Sequence, residues 1–157
     1  MVLFILILLG LALRLWHLGG SSYWMDESFS IATAQTMVEQ GTALMRSPLY
    51  HALLALVGTI SHWQIVLIRG LSMLLGLSMI VASYSTLKRW MNVPVAIVTA
   101  SLITFSTIEI AWSHQVRMYA ALQICFWLSL YCYERWRSGK LHWLYPATLT
   151  LCTVLVH

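Results

Sequence analysis

Long apolar runs with few charged residues between them are the feature that most constrains the fold of this chain. Crossing the hydrocarbon core of a bilayer takes about 20 apolar residues in a helix, with a range of about 17–25. Five runs approach that length, and they predict spanning helices at about 2–18, 65–87, 93–112, 118–134 and 141–157. A shorter run, Pro48–Ile60, is predicted to lie at the membrane interface or to re-enter the membrane.

The composition excludes an ordinary water-soluble domain. Only 9% of the residues are charged and 60% are hydrophobic, with a mean hydropathy of +0.78, whereas a soluble domain carries about 25% charged residues. We therefore predict an all-α integral membrane protein, one transmembrane module over residues 1–157, whose outer loop at 19–64 holds short interfacial helices. The first run is predicted to be a retained helix, because it lacks the basic start of a cleaved signal.

Two classes of ligand are not expected. The net charge of +4 comes from basic residues scattered at the ends of the predicted helices, which does not indicate a nucleic-acid partner. The three cysteines, Cys125, Cys132 and Cys152, lie inside apolar runs and form no C-x-x-C pair. Neither a zinc site nor a disulfide framework is therefore predicted, and no resident cofactor or divalent metal is assigned.

Basic residues in alternate loops predict the orientation of the chain. Two loops are rich in lysine and arginine, and their basic residues are Lys88, Arg89, Arg135, Arg137 and Lys140. The other loops contribute Arg46 and Arg117. The positive-inside rule therefore puts the N-terminus and the two rich loops in the cytoplasm and the 19–64 loop on the outer face. The predicted location is the inner or plasma membrane of a bacterium.

The outer loop carries helix signals of its own. Asp26 or Ser28 is placed to cap a helix that runs to about Gln40 and ends at Gly41. Pro48 is placed in the first turn of the next helix, where its missing N–H leaves no helical hydrogen bond unmade. A weak apolar stripe suits the first of these helices to lying on a membrane surface.

Charged residues near membrane depth gather on the predicted outer side, where such groups usually face a bundle interior or a wet cavity. They are Asp26, Glu27, Arg69, Glu109, His114 and Arg117. A carboxylate there can orient a hydroxyl nucleophile and accept its proton, and a planar guanidinium suits two phosphate oxygens. His114 precedes Arg117 by about one helical turn, so both face one ligand if that segment is helical. This combination predicts group transfer from a phosphate leaving group.

Plainer interpretations of the same residues stay open at this point. The Asp26–Glu27 pair is equally typical of a solvated loop start, and Arg117 is equally typical of an interfacial anchor. Arg69 and Glu109 are candidates for an ion pair with each other inside the bundle. Three further polar residues are predicted to lie at the membrane interface, and they are His51, His62 and His142.

Three separated motifs resemble one family, in the family's order. They are "LRLWHLGGSSYWMDESFSIATAQ", "SPLYHALLALVGTISHWQIVLIRGLSMLLGL" and "STIEIAWSHQVRMYAALQICFWLSLYCYERW". The first is similar to the family's first helix and acidic motif, the second to its PPLYY-type segment, and the third to its SPxxxxYSQEARMYALL-type stretch. The family is the polytopic C-type glycosyltransferases related to dolichyl-phosphate-mannose protein mannosyltransferases and bacterial lipid A aminoarabinose transferases. The similarity covers about four fifths of the chain.

The resemblance implies a reaction and roles for residues. It implies an inverting transferase that moves a sugar from a polyprenyl-phosphate donor to a protein, lipid or glycan acceptor on the outer face of the membrane. Asp26 matches the family's catalytic acidic position and Glu27 its usual neighbour, so both are predicted to be catalytic. Arg117 matches the arginine near the donor phosphate and Tyr119 the tyrosine two residues on, and His114 is predicted to join them in binding that phosphate.

The chain departs from the family pattern in two places and in length. A serine precedes Pro48 where the family has a second proline, and His114 and Gln115 stand where it often has Gln-Glu, which removes a charge near the site. Family members run to several hundred residues, so we expect this chain to be the N-terminal part of such an enzyme. The alternative is a non-catalytic membrane-embedded binding or assembly subunit, or an inactive truncated fragment.

Overall fold

The computed structural model of this chain describes residues 1–16, 18–20, 24–41 and 47–156, and the regular structure among them is all helical. The helices are, in chain order, α1 (Val2–Leu15), α2 (Met25–Gln40), α3 (Pro48–Ile60), α4 (Ile65–Trp90), α5 (Val93–Phe105), α6 (Thr107–Ser113), α7 (Tyr119–Arg137) and α8 (Leu144–Val156). The predicted all-α class is confirmed. Arg46, which the orientation prediction used, lies outside the described residues.

Most helices are shorter than the spans predicted for them. In the described part of the chain, α4, with 26 residues, is the one single helix long and apolar enough to cross a membrane. Together α5 and α6 pass the same test, but they are bent by 59° at their junction. At 1.5 Å per residue, α1 (14 residues) and α8 (13 residues) reach only about 20 Å, against a hydrocarbon core of about 30 Å. These lengths do not support the prediction of five spanning helices.

The ends of α2 and α3 show how local sequence sets the outer loop. Trp24 caps α2, in place of the predicted Asp26 or Ser28, because the carboxylate of Glu27 accepts a hydrogen bond from the Trp24 N–H at 3.2 Å. The predicted end of α2 is confirmed, with Gly41 in the left-handed conformation at φ 64°. Pro48 is the first residue of α3, as predicted.

The long helix α4 is the element around which the others pack. It contacts α1, α3, α5, α6 and α7, while α2 packs on α3 and α8 packs on α7. The largest apolar cluster joins α2, α3, α4, α7 and α8, and its fully buried members include Ala34, Leu54, Ile68 and Val116. Val116 of this cluster directly precedes Arg117, so the cluster packs next to the turn before α7.

The bend between α5 and α6 is held by a buried arginine that sequence reasoning did not single out. Arg14 of α1 is fully buried, and its guanidinium donates to the Ile103 carbonyl at 3.3 Å and to the Ser113 hydroxyl at 3.1 Å. Carbonyls at the end of a helix have no helical partner. Arg14 therefore contacts α5 just before the break at Ser106 and the residue that ends α6, so it bridges the two helices into which the predicted 93–112 run divides.

Several charged side chains are buried, while many large apolar side chains face outward. Arg14 and Arg69 are among the largest fully buried side chains. Large apolar side chains face outward along α1, α4 and α5, for example Phe4 at 64%, Leu74 at 57% and Leu102 at 67% exposure. Soluble monomers rarely expose wide apolar surface, so this surface suits contact with lipid or with further protein.

Candidate functional site

The predicted acid and the predicted phosphate-binding arginine meet, although 90 residues separate them. The Oδ2 atom of Asp26, in the first turn of α2, lies 2.8 Å from Nη1 of Arg117, in the turn before α7. Both side chains reach solvent, since that of Asp26 is 65% exposed and that of Arg117 is 23% exposed. The pair is therefore accessible to a ligand.

Aromatic side chains hold the Arg117 guanidinium in place. Its Nη2 donates to the Tyr119 hydroxyl at 3.0 Å, and its central carbon lies 5.2 Å from the centre of the Tyr119 ring. Trp112 in turn packs against Tyr119 with ring centres 5.2 Å apart. A planar guanidinium fixed in this way retains donors for a second acidic group. Arg117 and Tyr119, both predicted to bind the donor phosphate, are thus in contact, and that role stays a prediction.

Glu27 lies beside Asp26 in sequence but occupies a different environment. It is fully buried, and its carboxylate accepts hydrogen bonds from Nε and Nη2 of Arg69 at 3.1 and 2.8 Å. It also accepts from the backbone N–H groups of Val116 at 2.9 Å and Trp24 at 3.2 Å. Both oxygens are thus engaged by α4, by the turn before α7 and by the start of α2. This geometry suits holding the site together more than reacting with a ligand.

The same contacts decide the protonation of Glu27. Burial by itself raises the pKa of a carboxyl group. Here the hydrogen bonds from Arg69, and then those from the backbone of Val116 and Trp24, outweigh burial and hold the pKa of Glu27 below its ordinary value. The carboxyl group is therefore ionised at neutral pH.

The suggested pairing of Arg69 with Glu109 is wrong. Arg69 pairs with Glu27 at 2.8 Å, and the Glu109 carboxylate accepts a hydrogen bond from Nε2 of Gln123 at 2.9 Å. The partners Glu27 and Gln123 lie in α2 and α7, and the sequence does not reveal how these helices pack against α4 and α6.

The structure separates His114 from the Arg117 site. Helix α6 ends at Ser113, so the segment from His114 to Arg117 is not helical and the condition for both to face one ligand is not met. Nε2 of His114 lies 2.8 Å from the carbonyl oxygen of Arg14. Because that oxygen can only accept, the ring donates to α1. Its predicted part in binding the donor phosphate has no support from this geometry.

A cavity of about 280 Å³ opens beside the Asp26–Arg117 pair. Its walls come from α2, α3 and the turn before α7, and they consist of Asp26, Phe29, Ser30, Ser47, Tyr50, His51, Arg117 and Met118. The cavity thus combines one carboxylate, one guanidinium and one imidazole with apolar surface, the usual make-up of a small-molecule site.

His51 is the functional candidate that sequence reasoning missed. His51, predicted to lie at the membrane interface, is buried in α3 and lines the cavity, and its Nδ1 lies 3.0 Å from the carbonyl oxygen of Ser47. The available signal was its position in the second motif, one helical turn after the Ser47 cap. His62 and His142 are exposed.

Two buried hydroxyl groups lie behind the cavity wall. Those of Tyr50 and Ser72 face each other, yet neither makes a hydrogen bond of good geometry within the described residues. Burial raises the pKa of Tyr50, so the phenol stays protonated at any physiological pH.

As for metals, the described ranges contain no group of three or more His, Cys, Asp or Glu residues placed to hold an ion.

Comparison of the chain with protein-family models, with curated proteins and with solved structures finds no match. The resemblance to C-type glycosyltransferases therefore stays a prediction that rests on the three motifs. What the geometry adds is that two of the matched positions, Asp26 and Arg117, come together at one cavity.

Proposed function

We propose that this chain is a membrane glycosyltransferase, or the N-terminal catalytic module of one, that transfers a sugar from a polyprenyl-phosphate donor to a hydroxyl acceptor. The observation that carries the proposal is the accessible Asp26–Arg117 ion pair at the cavity beside α2 and α3. A carboxylate for the acceptor and a guanidinium for the phosphate stand within hydrogen-bonding distance of each other. The two side chains must move apart when substrates bind, because the anomeric carbon has to lie between the acceptor oxygen and the donor phosphate oxygen in an inverting transfer.

In the proposed reaction the donor phosphate binds Arg117, which exchanges one carboxylate contact for phosphate oxygens. The freed carboxylate of Asp26 accepts a hydrogen bond from the acceptor hydroxyl and orients it, and the hydroxyl proton passes to a basic group of the cavity as the oxygen attacks. The acceptor oxygen forms a bond to the anomeric carbon on the side opposite the phosphate, and the bond from that carbon to the phosphate oxygen breaks with inversion. The phosphate leaves with the bonding electron pair, and Arg117 stabilises its added negative charge.

The buried Glu27–Arg69 pair has a positioning role in this proposal. It joins the start of α2, which carries Asp26, to the backbone of Val116, which precedes Arg117. Catalytic groups must be held within a fraction of an ångström of the productive geometry. The family's second acidic residue, Glu27, is therefore proposed to place Asp26 and Arg117 and to leave the chemistry to its neighbour.

We further propose that the chain lies in the membrane as a multi-pass protein with the cavity on the outer face. The outward-facing apolar side chains and the basic residues at the far end of α4 support this placement. Helices shorter than the bilayer can be accommodated by local thinning or by association with further helices. The predicted spans at α1 and α8 rest on this accommodation, whereas α7, with 19 residues, is not short.

The proposal is tested by binding of farnesyl phosphate, a short isoprenoid phosphate, to the full chain in detergent micelles. Arg117→Lys keeps the charge but loses the two-pronged geometry, so we expect binding about tenfold weaker or more, as loss of one charge-assisted hydrogen bond implies. Arg137→Lys is the matched control, because Arg137 pairs with Glu134 at the opposite end of α7. Equal affinity in wild type and Arg117→Lys would return Arg117 to an anchoring role and remove the donor site from the cavity.

A further inference from the structure

The cavity contains one group that the proposed reaction does not use. His51 is 8% exposed, lines the same walls as Asp26 and Arg117, and its ring meets the Tyr50 ring edge-on with centres 5.6 Å apart. Burying an imidazole costs free energy unless its ring nitrogens make hydrogen bonds. The neighbours of His51 therefore determine which ring nitrogen carries the proton.

The backbone of α3 fixes which nitrogen of His51 carries the proton. Nδ1 lies 3.0 Å from the Ser47 carbonyl oxygen, one helical turn earlier. A carbonyl oxygen has no hydrogen to give, so Nδ1 must be the donor. In the neutral ring the other nitrogen, Nε2, then holds a lone pair and no hydrogen. No described residue hydrogen-bonds to Nε2, and the cavity is the space that the ring adjoins.

We propose that Nε2 of His51 is the group that finally takes the proton of the acceptor hydroxyl, while Asp26 orients that hydroxyl. The inference rests on the proposed function. A general base works best when its proton affinity matches the working pH, and imidazole is the side chain suited to neutral pH, whereas a carboxylate is a weaker base there. The carbonyl of Ser47 keeps the ring in the one tautomer that can accept, as a fixed partner does for other catalytic histidines.

The step balances without any further reactant. The acceptor O–H bond breaks, its proton moves to Nε2, and the oxygen's electron pair forms the new bond to the anomeric carbon. The bond between that carbon and the donor phosphate breaks, and the phosphate keeps its electron pair. The resulting imidazolium lies in a cavity that also holds the Asp26 carboxylate, which stabilises the added positive charge. The charged side chains that face the cavity are Asp26 from α2 and Arg117 from the turn before α7.

The test is chemical rescue in native membranes that contain the acceptor, with release of farnesyl phosphate from synthetic farnesyl-phosphate monosaccharides as the readout. We expect His51→Ala to lower the rate by about 10²–10⁴-fold, the usual cost of losing one acid–base group. Added imidazole should restore part of that rate in a saturable way, and it should leave wild type unchanged. His142→Ala, at an exposed position outside the cavity, is the control and should match wild type.

A second measurement is independent of turnover and of how well the Ala variant folds. In the intact chain labelled with ¹⁵N-histidine, the His51 ring should show a protonated Nδ1 and a bare Nε2, and His51→Gln identifies the signal by its loss. A His51→Ala rate near wild type, a lack of rescue in a folded variant, or a protonated Nε2 would each overturn the inference. In any of these three cases, binding of farnesyl phosphate that depends on Arg117 would still support the proposed function. If farnesyl phosphate did not bind in this way, the proposed function and the role of His51 would both be wrong.

Discussion

Removing the charge of Glu27 is expected to destabilise the chain far more than its position beside an exposed aspartate suggests. Glu27→Gln keeps the size of the side chain and one acceptor oxygen, but it leaves the buried charge of Arg69 without this carboxylate. Both side chains are at most 1% exposed, so solvent does not screen the pair. Breaking a buried ion pair from one side costs about 3–5 kcal/mol.

The size of the effect can be measured as a shift of the thermal midpoint in detergent, followed by circular dichroism. For a chain of about this length each kcal/mol corresponds to about 2–4 °C, so Glu27→Gln should lower the midpoint by about 6–20 °C. The double variant Glu27→Gln/Arg69→Met, which removes both charges, should recover a large part of this loss. Glu39→Gln, at an exposed position of the same helix, is the control and should shift the midpoint by no more than about 2 °C.

Two results would refute this reasoning. A midpoint shift for Glu27→Gln as small as that of Glu39→Gln would mean that the Glu27–Arg69 pair does not hold the folded chain together. Equal losses for the single and the double variant would mean that the damage comes from something other than a buried charge left behind.

Three further outcomes follow from named contacts. Because the pKa of Glu27 lies below its ordinary value in the folded chain, its stabilising contribution is present at neutral pH and should be lost as pH falls below about 4. The thermal midpoint of wild type should therefore fall in this acid range, and the part of that fall due to Glu27 should be missing in Glu27→Gln. Gly76→Ala should destabilise the chain, because a Cβ there meets the side chain that ends α6. Gly70→Ala, where a Cβ meets nothing, should stabilise α4 by about 0.5–1 kcal/mol. Equal thermal midpoints for the two variants would contradict this. In a variant without native cysteines, cysteines at Ser28 and Ser138 should react with an impermeant reagent from opposite sides of the membrane, and labelling of both from outside would overturn the proposed orientation.

Several elements of the fold could be predicted because their signals are local. The end of α2 at Gly41 and the start of α3 at Pro48 depend on single residues with special backbone geometry, and both agree with the structure. The apolar runs likewise predicted where helices lie. They did not predict how long each helix is: the 93–112 run divides at Ser106, where Arg14 of a different helix contacts both halves.

Part of the site was predictable because its residues lie in recognisable local motifs. Asp26 and Arg117 were both selected from motifs, and the structure brings them together. The partner of Arg69 and the orientation of His114 were not predictable, because each depends on contacts across the bundle rather than on helical spacing. The second motif includes His51, but its place at the cavity depends on how α3 packs against α2 and the turn before α7, which the sequence does not show.

The measurement that bears most directly on the proposed transferase is the turnover of Asp26→Asn in the full chain, with farnesyl-phosphate monosaccharides as donors. Asparagine keeps the size of the side chain but loses the negative charge that orients and activates the acceptor. We expect release of farnesyl phosphate to fall by about 10²–10³-fold, the usual cost of losing one electrostatic contact to the transition state. Binding of farnesyl phosphate should persist or tighten, because Arg117 no longer pairs with a carboxylate. Glu39→Gln should retain full turnover, and an inserted Asp26→Asn variant that also retained it would contradict the assignment of this cavity as the active site.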